Sequence, residues 1–252
     1  MKKICIFLAI VLILPSSCQK EEALGAITLT TDSNLPYVLF YIAGTGAVTF
    51  IKGDGTREFH SLSPYVDEWY QEVVHINEEN KYYRYVNRSN SMQEVITIEG
   101  KNITHFSSYY GLWSFDRIKD IDVSMASKLT YLNSSNANLQ NLDVRKNPLL
   151  TYIDCSKNLL TNLDISKNSL LTILVCNNNL LTHLDANNNN AMEYLNIANN
   201  QFTASSLNSL FRTLPRNHSP NEKTRWIYIS GNPGSSTCDT DIATKRGWTV
   251  MR

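Results

Sequence analysis

The sequence has no excess of charge of either sign: 23 Lys and Arg stand against 23 Asp and Glu in 252 residues. A chain so balanced lacks the basic footprint that nucleic-acid binding needs, so no nucleic-acid partner is expected. Cysteine is scarce, with five in all, and past position 18 only Cys155, Cys176 and Cys238 remain. An odd number excludes a disulfide framework. No second Cys or His stands at ligand spacing from any of them, so no metal site is expected. The five histidines, at 60, 75, 105, 183 and 218, share no motif with a Cys, Ser or carboxylate. There is no G-x-S-x-G, H-E-x-x-H or phosphate-loop motif, so no catalytic residue and no cofactor is assigned. After the first residues no apolar run is long enough to span a membrane.

What is present starts with an address. Two lysines, Lys2 and Lys3, precede an apolar run from Ile4 to Leu14 that is too short for a spanning helix. The run closes as L-P-S-S-C at Cys18. This resembles a bacterial lipoprotein signal, with Pro15 where the usual Leu stands. The resemblance implies cleavage after residue 17, acylation of Cys18 and contact with the membrane through the lipid anchor only. Gln19-Lys20-Glu21-Glu22 resembles the surface-export signal of Bacteroidetes lipoproteins, which implies a cell-surface place on the outer membrane. Losing residues 1–17 removes only Lys2 and Lys3, leaving 21 basic against 23 acidic residues, a net of −2. The expected organisation is signal peptide 1–17, tether 18–25, a small β domain 26–101 and a repeat domain 102–252.

The repeat domain declares itself by period. L-T-Y-L-N-S-S-N from Leu129, L-T-Y-I-D-C-S-K-N from Leu150, L-T-I-L-V-C-N-N-N from Leu171 and M-E-Y-L-N-I-A-N-N from Met192 start 21 residues apart. Such a period marks a solenoid whose units bury apolar edges only by stacking on one another. Leu132, Ile153, Leu174 and Leu195 form one column, and Ser134, Cys155, Cys176 and Ile197 the next. The two Cys read as small buried hydrophobes. Asn158, Asn179 and Asn200 form a column suited to backbone groups left unpaired by a turn. The return halves, such as L-T-N-L-D-I-S-K-N from Leu160, follow one template and carry Asp122, Asp143, Asp164 and Asp185 in a row. Those carboxylates read as partners of turn amides rather than a binding strip. The columns resemble leucine-rich repeats of the short internalin type with a cysteine ladder. Helical spacing over Ala204–Leu214, ended by Pro215, predicts a helix in the closing cap, where Cys238 and Trp248 should pack.

Before the repeats, Ile27–Thr31, Tyr37–Ile42, Ala47–Ile51, Arg57–Leu62, Lys81–Val86 and Glu94–Ile98 read as short strands, with Gly44–Gly46 and Gly53–Gly55 as turns. Ile103–Phe106 reads as the opening strand of the solenoid, fed directly from these. Ser63–Asn80 looks like an insertion, and Asp54 reads as a turn former rather than a calcium ligand. Residues 47–56, A-V-T-F-I-K-G-D-G-T, resemble the hairpin of PKD-like domains. The expected fold class is therefore mainly β: an N-terminal PKD-like β-sandwich fused to a leucine-rich repeat solenoid with a helix-containing C-terminal cap.

Alternation puts the residues flanking the second Leu of each repeat strand on the solvent side. Before it stand His105, Tyr131, Tyr152, Ile173, Tyr194 and Trp226; after it stand Ser107, Asn133, Asp154, Val175, Asn196 and Tyr228. Aromatic rings beside amides and a carboxylate suit a protein or glycan ligand. The candidate ligand-binding residues are Tyr131, Tyr152, Asp154, Tyr194, Asn196, Trp226 and Tyr228. The expectation is a monomeric, non-catalytic surface module that captures a host or dietary protein or glycan. The alternatives are a scaffold component of an outer-membrane complex and, at a distance, a glycoside hydrolase.

Overall fold

The computed structural model describes residues 25–31, 38–52, 55–61, 82–87, 95–108, 118–216 and 224–252. Residues 1–24 with Cys18, the Ser63–Asn80 insertion, Asp54 and the Tyr109–Trp113 segment lie outside the described residues.

The chain is mainly β, with few helices and a solenoid of stacked turns. In chain order the elements are β1 (Gly25–Thr31), β2 (Val38–Ile51), β3 (Arg57–Ser61), β4 (Tyr82–Asn87), β5 (Val95–Ser107), β6 (Ile118–Asp122), β7 (Tyr131–Asn133), β8 (Tyr152–Asp154), β9 (Ile173–Val175), β10 (Tyr194–Asn196), α1 (Ala204–Thr213), β11 (Arg225–Tyr228), α2 (Asp241–Thr244) and β12 (Trp248–Met251). All described strands belong to one sheet, in the order β12-β11-β10-β9-β8-β7-β5-β1-β6, with β2 branching from β5 to reach β3 and β4.

Two expectations are corrected in the first half of the chain. Gly44–Gly46 is not a turn between strands. The backbone runs straight through it, so that β2 is one strand of 14 residues. The glycines are spent on irregularities in its pairing with β5, between Ala43 and Gly44 and between Thr45 and Val48, with Gly46 at φ 84°. A bulge needs the same permissive backbone as a turn, which is why the two read alike. The strands expected at Glu94–Ile98 and Ile103–Phe106 are likewise one element, β5. Its first half pairs antiparallel with β1, and its last three residues pair in parallel with β7. The antiparallel sheet thus passes into the solenoid through a single strand that crosses position 101. The β2–β3 hairpin closes through Gly55 N–H donating to Lys52 O at 2.8 Å, with Gly55 at φ 83°.

From β7 to β10 each strand has three residues, and each pairs in parallel with the equivalent residue 21 positions away. Leu132, Ile153, Leu174, Leu195 and Ile227 are fully buried behind the sheet, and so are Cys155, Cys176 and Ile197. Both Cys are free thiols, and burial pushes the Cys155 thiol well up. Hydroxyls reinforce the starts of β7, β8 and β9: Thr130, Thr151 and Thr172 Oγ1 donate to the carbonyls of Thr104, Thr130 and Thr151.

The turns are held by two asparagine ladders. Asn158 Nδ2 donates to Ser134 O and Cys155 O, while its Oδ1 accepts from Ala137 N and Leu139 N. Asn179 and Asn200 repeat this one and two units on, and Asn232 extends it into the cap. A buried amide offers both a donor and an acceptor, which is what a turning backbone leaves unpaired. The second ladder, Asn147, Asn168 and Asn189, lies on the return side and donates to carbonyls of the preceding unit. In the aspartate row, Oδ1 of Asp122, Asp143, Asp164 and Asp185 accepts the amide two residues on, closing a turn each time.

The C-terminal end is closed by α1, capped by Thr203, whose side chain accepts from Ser206 N. Trp248 is buried, and its Nε1 donates to Pro215 O at 2.9 Å; Cys238 is buried in the same cap.

Candidate functional site: the ladder face

The outer face of the parallel strands brings the predicted residues into two columns. Register pairs place His105 beside Tyr131, then Tyr152, Ile173, Tyr194 and Trp226. One step along, Ser107, Asn133, Asp154, Val175, Asn196 and Tyr228 follow one another. All seven predicted residues share this face, but they are not equally accessible.

Tyr131 does not face solvent as alternation suggested: it is 7% exposed. Its ring stands between His105, at 5.6 Å and 24°, and Tyr152, at 4.4 Å and 7°. A ring covered on both faces by its neighbours has little surface left to offer, and such stacks stabilise by about 0.5–1.5 kcal/mol per pair. The same end of the face buries His105, Ser107 and Asn133. Burial lowers the His105 pKa to about 4, because desolvation disfavours the imidazolium. Tyr131 is therefore a structural member of the row.

The open part runs from β8 to β11. Tyr152, Asp154, Ile173, Val175, Tyr194, Asn196, Trp226 and Tyr228 are all half-buried. The aromatic row is interrupted at β9, where Ile173 and Val175 give a purely aliphatic step. It resumes with Tyr194 tilted 40° against Tyr228 at 5.3 Å. Asp154 is the only carboxylate in the two columns. Its Oδ1 accepts from Ser156 N at 2.9 Å and Ser156 Oγ at 2.7 Å. Loss of water around it raises its pKa, which the two Ser156 bonds partly offset. Desolvation also raises the Tyr194 pKa, with smaller upward contributions from Tyr228 and Asp154.

One apolar feature escaped the sequence reading. The Leu-Leu doublets at 149–150, 159–160, 170–171 and 180–181 are split: the second Leu of each is fully buried and the first is 42–47% exposed. The doublets look alike in sequence, and only the turn geometry separates their members. A recess of about 540 Å³ beside β12 is lined by Thr240, Thr244, Gly247, Trp248, Thr249, Val250 and Arg252, none of them a predicted site residue. Among the described residues no group of three His, Cys, Asp or Glu is placed to hold a metal ion. Among them also, no helix is long and apolar enough to cross a membrane.

No family model matches this chain, and no curated protein does. Two of the solved structures it resembles are leucine-rich repeat proteins. The functional domain of InlJ from Listeria monocytogenes, which includes a cysteine ladder, is 28% identical over 54% of this chain and 37% of that one, with a TM-score of 0.30. The leucine-rich repeat protein LIC12759 from Leptospira interrogans is 16% identical over 52% of this chain and 44% of that one, with a TM-score of 0.34. The chain thus spans less than half the length of either. The repeat geometry itself, with its 21-residue units, parallel three-residue strands and asparagine-held turns, fits leucine-rich repeats.

Proposed function

We propose that this chain is a non-catalytic binding module that holds a protein partner on the ladder face between β8 and β11. One observation carries the reading. Tyr152, Ile173, Tyr194 and Trp226 stand in register on four neighbouring strands, half-buried and open on one side. Rigid rings presented at regular spacing give broad apolar contact at little conformational cost, and Asn196 and Asp154 beside them can fix polar groups. Adhesion at the cell surface is the finer form of the proposal: Cys18 carries the lipid anchor, a PKD-like segment at 26–101 follows, and the outer-membrane face is the place of action.

The test is a matrix-protein and glycan array probed with the protein and with a Tyr152/Tyr194/Trp226→Ala variant. Tyr131 is left intact because its ring is structural. A protein hit lost by the folded variant supports the proposal. A hit confined to glycans moves the ligand class, and a protein hit the variant retains removes the ladder face from consideration. Release of the protein from the membrane fraction on Cys18→Ala checks the anchor.

A further inference from the structure

The charge of Asp154 is surplus to folding. The turn after β8 is built by Oδ1 of Asp154 accepting from Ser156 N and Oγ. One strand earlier, Asn133 Oδ1 accepts from Ser135 N and Oγ in the same way. Two strands later, Asn196 Oδ1 accepts from Ala198 N. A neutral amide therefore makes this turn equally well, and the second oxygen of Asp154 takes no hydrogen bond among the described residues. No ion pair reaches it there either: Lys157, three residues on, contributes only through space.

The surroundings make a lone carboxylate costly. Tyr152 stands on the same side of the same strand, Val175 is its register neighbour on β9, and Ile173 lies beside Tyr152. A carboxylate against such groups loses hydration that only a counter-charge restores.

We propose that Oδ2 of Asp154 receives one cationic side chain, Arg or Lys, from the partner bound on the ladder face. This rests on the protein-binding reading above. The planar guanidinium suits the site better than an ammonium, since its fixed fork of donors matches a carboxylate. Asp154 would then set the register of the partner, because it is the single carboxylate in the two columns of the face.

The test is panning of random nine-residue peptides displayed on phage against the full chain held in detergent. Asp154→Asn is panned in parallel, since the Asn133 turn shows that this change keeps the fold. Asp143→Asn serves as a charge-loss control. Its carboxylate is bonded to Arg145 in an exposed turn of the return side. The expected result is at least tenfold enrichment of Arg or Lys at one fixed position on the unaltered protein and on Asp143→Asn, absent on Asp154→Asn. Replacing that Arg by citrulline in the selected peptide should weaken binding by a similar factor. Enrichment with no basic position, or a basic preference that survives in Asp154→Asn, overturns the inference and leaves the protein-binding reading standing. No enrichment on any of the three proteins overturns both.

Discussion

Asn179→Ala isolates what an asparagine ladder is worth. Asn179 is buried, and its Nδ2 donates to Cys155 O at 2.9 Å and Cys176 O at 3.1 Å while Oδ1 accepts from Leu160 N at 3.0 Å. The three partners do not suffer equally. Cys155 O keeps Asn158 as a second donor, and Cys176 O keeps Asn200. Leu160 N has no other acceptor among the described residues, so one buried N–H is left unpaired, at about 1–3 kcal/mol. Two weakened carbonyl contacts and the small void add roughly another 1 kcal/mol. The expected loss is about 3 kcal/mol, a large part of the margin of a domain this size. Urea unfolding followed by circular dichroism measures it, and hydrogen exchange at the Leu160 amide locates it. A loss below about 1 kcal/mol, with Leu160 still protected, would refute the account of the ladder as a satisfier of backbone groups.

Ser134 occupies the cysteine column with a fully buried hydroxyl that has no hydrogen-bond partner among the described residues; Ser134→Cys should stabilise by about 1 kcal/mol, read as a raised urea midpoint. Lys157 sits at φ 53°, where Asn136, Asn178 and Asn199 hold the equivalent left-handed place; Lys157→Asn should stabilise by about 0.5–1 kcal/mol, and a neutral or negative effect would count against backbone strain there. His105 is neutral in the fold with its pKa near 4, whereas the unfolded chain takes a proton near 6.5. Stability is therefore full above about pH 6.5 and falls as the pH drops towards 4, by about 3 kcal/mol. The pH–stability curve of His105→Phe should be flatter over that window, and an identical curve would exclude His105 as the cause.

The solenoid was legible because several columns recur together at one period. Leu132, Ile153, Leu174 and Leu195, with the Asn column beside them, leave little freedom of register. The ladder face was legible for the same reason, since alternation assigns a side to each residue. Alternation says nothing of what lies over that side, and so Tyr131 was read as open. The antiparallel region was less legible. Glycine marks bulges and turns by the same backbone freedom, so Gly44–Gly46 concealed the continuity of β2. β6 went unread because I-K-D-I-D follows the template of the return halves, and only its pairing with β1 makes it a strand. The exposed members of the Leu-Leu doublets went unread because hydrophobicity cannot tell which of two adjacent leucines a turn will face outward.

The strand shared by the two parts of the sheet has a mechanical consequence. Tension applied between the N-terminal region and the C-terminal cap meets unequal resistance. β5 is thirteen residues long and gripped by β1, β2 and β7, whereas each of β7 to β10 has only three residues held in line with the next. Under load the outer coils peel first, one after another, and β5 gives way last. Each 21-residue coil released lengthens the chain by roughly 70 Å, at about 3.4 Å per residue. Single-molecule pulling should show a short series of such steps before a stronger final rupture. A partner held across β8 to β11 would therefore be let go in the early steps, because the coils that peel first are the ones proposed to hold it.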